Sequence, residues 1–276
     1  MMNWTALLQK PNTVSGADLQ RLRGDPQIPP RASIVIPVNA QKDLARVLIL
    51  ASDLAAYRGS QPIEIILVVN NYLENNAPEE FRKYQQLGFK VLGIEKVTYR
   101  GGVALAARIP GIELAQSDIA LLFDADCRIP NSTALLDWYI DQLNSGADLA
   151  YTHVDYFDLP AGVVIKIRMF IHHASRWYKR ILLGIPTSRG SNYAMKRGLI
   201  LELFAEERVH YDIQIGPVVK ALGKKIMYSG ANEHVVLTSG RFFSNSWKEL
   251  FAYLIWRIGY YFRVKPTKPA SPYFDR

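Results

Sequence analysis

Ile63-Glu64-Ile65-Ile66-Leu67-Val68-Val69 is an apolar run interrupted by one acid and closed by Asn70-Asn71. A strand of that composition has no polar face to give to water, so it must be covered on both sides. Ser33-Ile34-Val35-Ile36-Pro37-Val38 and Ile119 to Phe123 have the same character, and Phe89 to Gly93 is a further short strand. Helices separate these runs: a helix-period segment through Leu44, Val47, Leu48, Leu50 and Leu54, a polar helix near Pro78 to Leu87, and a helix from Val103 to Ala115. The alternation predicts an α/β fold, a mostly parallel Rossmann-like sheet flanked by helices.

Residues 1–31, with Pro26, Pro29 and Pro30, form a lead-in carrying one short helix around Ala17 to Arg23. The body starts at Ala32 and extends to residue 240. Its second half is less regular, with a strand Leu149 to Tyr156, a helix Val163 to Leu183, a loop to Asn192, a helix near Pro217 to Leu222, and strands Lys225 to Tyr228 and His234 to Thr238. This is an α+β extension of the sheet. Trp247, Leu250, Phe251, Leu254, Ile255, Ile258 and Phe262 recur at helical spacing, so residues 241–276 form an amphipathic helix and a basic tail. That helix either packs on the body or lies on an anionic membrane.

A hydrophobic content of 49% in 276 residues supplies a substantial core and excludes disorder as the default. The single cysteine, Cys127, rules out an intrachain disulfide, which fits a reducing, cytoplasmic setting. Neither a signal peptide nor a membrane-spanning run is visible. Charge is uneven: residues 1–150 hold 14 Lys/Arg against 16 Asp/Glu, and residues 151–276 hold 19 against 9. A basic second half suits an anionic ligand, an anionic membrane surface or nucleic acid, and equally a merely solvated basic face. Nucleic acid is excluded, because no recognised binding motif is present and paired acids are a poor lining for a polyanion groove.

In open sheets of this kind, ligands sit beyond the carboxyl ends of the strands. Asn39, Asn70-Asn71 and Asp124-Ala125-Asp126 each fall at such an end. Two carboxylates separated by one small residue offer hard oxygen donors to Mg²⁺ or Mn²⁺ and leave room for a ligand. The same residues also suit an ordinary strand-to-turn junction. Gly101-Gly102 precedes the helix at Val103, whose N-terminal amides, with Arg108, either face phosphate or ribose or form a plain turn with a solvated Arg.

Ser33-Ile34-Val35-Ile36-Pro37-Val38-Asn39, Ile65 to Asn71, Gly102-Val103-Ala104-Leu105-Ala106-Ala107-Arg108 and Leu122 to Asp126 resemble, in order and spacing, the nucleotide-binding half of family 2 glycosyltransferases. Gly190-Ser191-Asn192-Tyr193-Ala194-Met195-Lys196-Arg197 is similar to the acceptor-side segment of that family. The resemblance implies a GT-A fold, with a nucleotide-binding half at 32–130 and an acceptor half at 131–240. Pro37, Val38, Asn39, Asn70 and Asn71 then line the nucleoside pocket, and Asp124 and Asp126 of the DXD motif hold manganese or magnesium and the pyrophosphate. The donor is a nucleotide sugar, UDP being the commonest nucleotide and GDP the alternative. The acceptor is a sugar, lipid or small molecule. The family usually has an Asp where this chain has Asn70-Asn71, and a Glu where it has Tyr211.

Inverting transfer needs a base opposite the leaving nucleotide. Asp212 is the candidate catalytic residue, with a helix N-cap as its bland alternative and His210 as a rival base. His234 is a candidate third metal ligand, set against a structural histidine. Thr238-Ser239-Gly240-Arg241 resembles a segment of the family whose Arg-bearing loop closes on pyrophosphate or acceptor, with a surface turn as the competing reading. His172-His173, among Lys166, Arg168, Arg176, Lys179 and Arg180, forms a solvated or acceptor-facing stripe. Two other functions compete with glycosyl transfer: nucleotidyl transfer, which would need a Gly-rich basic loop after the first strand that Pro37-Val38-Asn39-Ala40-Gln41 does not supply, and a non-enzymatic basic membrane-surface module.

Overall fold

The computed structural model describes residues 14–72, 77–94, 103–159 and 161–240. In chain order the elements are α1 (Gly16–Arg23), β1 (Ala32–Asn39), α2 (Leu44–Ala55), β2 (Ile63–Asn70), α3 (Ala77–Leu87), β3 (Lys90–Ile94), α4 (Val103–Leu114), β4 (Ile119–Leu122) and α5 (Ser132–Asn144). They continue through β5 (Leu149–Thr152), β6 (Val154–Tyr156), α6 (Val163–Ile181), β7 (Tyr193–Lys196), α7 (Arg197–Ala205), α8 (Asp212–Ala221), β8 (Ile226–Ser229), a 3₁₀ turn Asn232–His234 and β9 (Val236–Thr238).

Among the described residues seven strands form one sheet in the order β3-β2-β1-β4-β7-β5-β8, parallel except where β7 runs against β4 and β5. The expected mostly parallel sheet flanked by helices is therefore present. Strand periodicity divides the core into two layers. Ile34, Ile36, Ile65 and Leu67 face Leu50 and Leu54 of α2 and Leu136 and Ile140 of α5. Val35, Ile66 and Val68 face Leu105, Ile109 and Ile112 of α4, with α7 and α8 completing that layer. Glu64 is buried within β2, but Ser33 Oγ donates to it at 2.6 Å and the Gln116 amide at 2.7 Å, and Lys90 pairs with it. A buried carboxylate so satisfied is tolerable.

From β1 the chain builds outward through β2 and β3, then returns to place β4 on the other side of β1. This reversal opens a crevice at the carboxyl ends of β1 and β4. The β1–β4 ladder ends at Val35↔Leu122, two residues before Pro37, which has no amide to donate. α4 closes against the sheet at Gly111, where a Cβ would sit 2.5 Å from Val68 Cγ2 and 2.7 Å from Val35 Cγ1.

Several boundaries differ from the sequence reading. The expected strand Leu149 to Tyr156 divides at His153, whose amide bonds to Ser229, and its second part pairs with β9 in a separate two-stranded sheet. His234 lies in the 3₁₀ turn before β9 rather than in a strand. α8 begins at Asp212 instead of near Pro217, because Gln214 Oε1 accepts from the Tyr211 amide at 2.7 Å and fixes an earlier start. The sequence reading does not anticipate α5, β7 and α7. α5 is visible in principle, since Leu135, Leu136, Tyr139, Ile140 and Leu143 share one helical face behind the Asn131 cap. β7 has four residues, too few to show a period. The expected helix Trp247 to Arg263 lies outside the described residues.

Candidate active site

β4 delivers Asp124 to the crevice, and the turn that follows is held on both sides. The Cys127 amide bonds to Asp124 O at 3.0 Å, Arg128 exchanges backbone bonds with Leu237, and the Arg128 guanidinium sits on Asp53 at 2.7 and 3.1 Å. Asp124 and Asp126 are half-buried. Ala125 is 3% exposed and packs in the core, so its small side chain serves the turn and only its backbone is left to meet a ligand.

One oxygen or sulfur atom from each of Asp124, Asp126 and Cys127 lies within 4.8 Å of the others, a spacing that fits a cation. The thiol is a poor member of this set. Burial pushes its pKa well up, helped by the neighbouring Asp124 and Asp126 charges, and it donates to Ser191 O at 3.8 Å. The carboxylates are therefore the donors that fit, and they suit Mg²⁺ or Mn²⁺.

Arg108, on α4, is completely buried beneath these acids. Its Nη1 donates to Asp212 Oδ2 at 2.6 Å, and its Nη2 donates to Gly190 O at 2.9 Å and pairs with Asp124. Burial alone would lower its pKa; the fields of Asp212 and Asp124 more than offset that and hold it cationic. The sequence reading places Arg108 facing phosphate or ribose. In the structure its two terminal nitrogens are taken by protein acceptors, so it positions the acids instead.

Asp212 is the first residue of α8, and Tyr211 is the N-cap. The N-cap alternative for Asp212 is thereby corrected: its carboxylate turns inward, Oδ2 to Arg108 and Oδ1 to the Tyr193 hydroxyl at 2.9 Å. Tyr193 opens β7 opposite Leu122, and this register brings it beside the end of β4. Burial raises the Asp212 pKa, more than Arg108 lowers it, and Asp124 adds to the rise. One buried cation shared by two carboxylates leaves the set net negative, so one acid is held less readily as an anion. Each carboxylate oxygen keeps a lone pair for a further donor.

Gly190 is required here, since a Cβ would stand 2.9 Å from both terminal nitrogens of Arg108 and 3.0 Å from Asp212 Oδ2. Asn192, fully buried, anchors the same loop: its Oδ1 accepts from the Arg189 amide at 2.9 Å, its amide group bonds to Thr152 O, and its carbonyl accepts from Tyr139 Oη at 2.7 Å.

On the other side of the crevice, Asn39 and Asn70 are register partners across β1 and β2. Asn39 Oδ1 accepts from the Gln41 amide at 3.0 Å, and the Ala40 amide bonds to Asn70 O at 2.9 Å, forming a tight rim. Asn71 adopts φ 56°, a left-handed conformation that Asn accommodates better than most residues. Pro37 is half-buried; Val38 points into the core and offers a ligand only its backbone.

His234 is outside the group formed by Asp124, Asp126 and Cys127. Its Nδ1 is 2.7 Å from Ser229 Oγ, its ring stacks on Trp138 at 5.2 Å, and Nε2 lies 3.7 Å from Glu233. His210 bonds through its amide to Gln214 and so helps start α8. Gly102 and Arg241 lie outside the described residues. His172 and His173 are half-buried against Tyr156 and Asp155 and so are not the solvated members of the expected solvated or acceptor-facing stripe; Arg176 is buried as well, and Lys166 is exposed. Sequence reading missed Tyr193 and the bridging role of Arg108. Tyr193 stands within the Gly190 to Arg197 segment, but nothing in the sequence marks its hydroxyl as a partner of Asp212.

The model of the family described as Glycosyl transferase family 2 matches residues 33–200. No curated protein matches the chain by sequence. Among solved structures, a mannosyltransferase from Pyrobaculum calidifontis, in complex with GDP-Man and Mn²⁺, superposes with a TM-score of 0.56 at 16% identity, covering 98% of this chain and 71% of that one. Glucosyl-3-phosphoglycerate synthase from Mycobacterium tuberculosis, in complex with Mn²⁺, UDP and phosphoglyceric acid, gives 0.46 at 15% identity, covering 91% of this chain and 84% of that one.

Proposed function

The chain belongs to glycosyl transferase family 2, and on that premise we propose that it moves a sugar from a nucleoside diphosphate donor to an acceptor hydroxyl, with inversion, using Asp212 as base. The observation that carries this reading is the single buried guanidinium of Arg108 bound to Asp124 and to Asp212. Asp124 comes from the donor half (32–130) and Asp212 from the acceptor half (131–240), so one rigid cation fixes the distance between the two. Pre-set separation of reacting groups is a large part of what an enzyme contributes.

Asp124 and Asp126 would hold a divalent cation, which when bound supplies Lewis-acid neutralisation of the diphosphate. Asn39, Asn70 and Asn71 form the rim for the nucleoside. Asp212, with its raised pKa and a spare lone pair on each oxygen, accepts the acceptor proton while Tyr193 and Arg108 keep its orientation. The GDP-Man and Mn²⁺ of the Pyrobaculum structure support a metal-assisted nucleotide sugar as donor class. The acceptor is a sugar, lipid or small-molecule hydroxyl.

The test is a thermal-shift screen of UDP- and GDP-sugars with and without Mn²⁺, since a ligand that binds only the folded state raises its apparent stability. A Mn²⁺-dependent rise with one nucleotide class is the expected result; no rise with any of them would overturn the reading.

A further inference from the structure

α6 presents an apolar stripe to solvent, while Arg176, His172 and His173 turn toward the protein and Lys166 stays exposed. Val163, Ile167, Phe170, Trp177 and Ile181 recur along one line of the helix, and each is more than half exposed, Phe170 at 74% and Val163 at 72%. Ile171 and Tyr178 widen the stripe, and Leu182 and Leu183 extend it. The inward face carries buried Met169 and Arg176 with half-buried His172 and His173. An amphipathic helix on a protein in water ordinarily sits the other way round, and an apolar patch of this extent marks an interaction surface.

Charge identifies what covers it. From Leu159 to Leu201 the chain has no Asp or Glu, whereas α6 carries Lys166, Arg168, Lys179 and Arg180 besides the buried Arg176. Beyond the end of α6, an open pocket of about 350 Å³ is lined by Arg180, Lys220 and Lys224 together with Tyr151 and Tyr228. Residues 241–276 hold seven Lys/Arg against two acids, and a second copy carries the same excess of base from 159 to 201, so neither supplies the negative charge that complements this region. An anionic lipid surface complements both the stripe and the charge. Exposed Trp177 and Tyr178 are residue types suited to the headgroup level. Among the described residues no helix is long and apolar enough to cross a membrane.

We propose that α6 is a docking helix for anionic bilayers, with the Val163–Ile181 stripe in the acyl boundary and the Arg180–Lys220–Lys224 group at lipid phosphates. The surface is separate from the glycosyl-transfer reading and stands or falls without it. α6 leads through a short loop to Gly190, so docking brings the acceptor side of the site close to the membrane plane.

The protein is sedimented with phosphatidylcholine vesicles, alone or with phosphatidylglycerol. Binding is expected only with the anionic lipid, weakening as salt rises. A Phe170→Gln/Trp177→Gln variant, altered only at exposed positions, is expected to melt like the wild type and to bind about tenfold more weakly or worse. Wild type left in the supernatant, or a variant that sediments equally well, overturns the proposal. A second measurement labels Phe170→Cys with a polarity-sensitive dye, native Cys127 being only 1% exposed. The expected signal is a blue shift on adding anionic vesicles. A dye already blue-shifted in buffer and indifferent to vesicles means that residues 241–276 or a second copy covers the helix, and that also overturns it; dilution separates the two.

Discussion

Arg108 Nη1 and Asp212 Oδ2 lie 2.6 Å apart although 104 residues separate them in sequence. The guanidinium is completely buried and the Asp212 side chain is 12% exposed, so their attraction is little screened by water. The same guanidinium pairs with Asp124, so the two acids do not move independently.

Replacing Arg108 by Met leaves Asp212 without its counter-charge and frees the Gly190 carbonyl from its partner. Breaking a buried pair from one side costs about 3 kcal/mol or more. Urea unfolding of Arg108→Met is expected to show a loss of that order, with Arg108→Lys intermediate because an ammonium is a poor substitute for the guanidinium fork between two acids. An Arg108→Met midpoint equal to wild type would contradict a structural role for the cluster.

Asp212→Asn keeps the shape of the side chain and removes its basicity. Donor binding is expected to be retained, while transfer falls by about 10²-fold or more. Because the Asp212 pKa is raised above 3.8, the wild-type rate should fall on the acid side at a pH above the ordinary aspartate range. Calorimetry with donor and an initial-rate pH profile check both statements; undiminished transfer by Asp212→Asn would remove Asp212 from the role of base.

Asp126→Ala removes one of the two carboxylates that fit a cation. The Mn²⁺-dependent thermal shift and metal-dependent donor hydrolysis are expected to disappear, with the circular dichroism spectrum unchanged. Full turnover by this variant in EDTA would show that the acid pair does not serve a metal.

His153 is expected to make stability fall with acid. Burial, reinforced by Arg176 and His173, lowers its pKa from 6.5 to about 4, so between those values the unfolded chain binds the proton and the folded chain does not. Stability therefore rises with pH through this window and is lost as pH falls from 6.5 towards about 4. Allowing for partial solvent screening, the contribution is about 1–3 kcal/mol. Urea midpoints measured across the window should slope less for His153→Gln, and equal slopes would exclude this histidine as the source.

The first half of the fold was legible because its strands are apolar on both faces. β2 is buried at every position, so almost any sequence that fills it announces a covered parallel strand. Helix α2 declared itself by period, since Leu44, Val47, Leu48, Leu50 and Leu54 follow helical spacing. The short elements of the second half did not, since β7 has four residues and β6 three, and their place depends on partners elsewhere in the chain.

Sequence by itself determined that strand-end acids and amides would gather at the carboxyl edge of a parallel sheet, because strand period and loop chemistry are local properties. Only the tertiary structure decided what those residues touch. It assigned Arg108 to the acids rather than to phosphate, joined Tyr193 to Asp212, buried Ala125 and turned the histidines of α6 inward. Each of these depends on contacts between residues distant in sequence, and on burial, which sets the strength of a charge pair and is a property of the whole packed molecule.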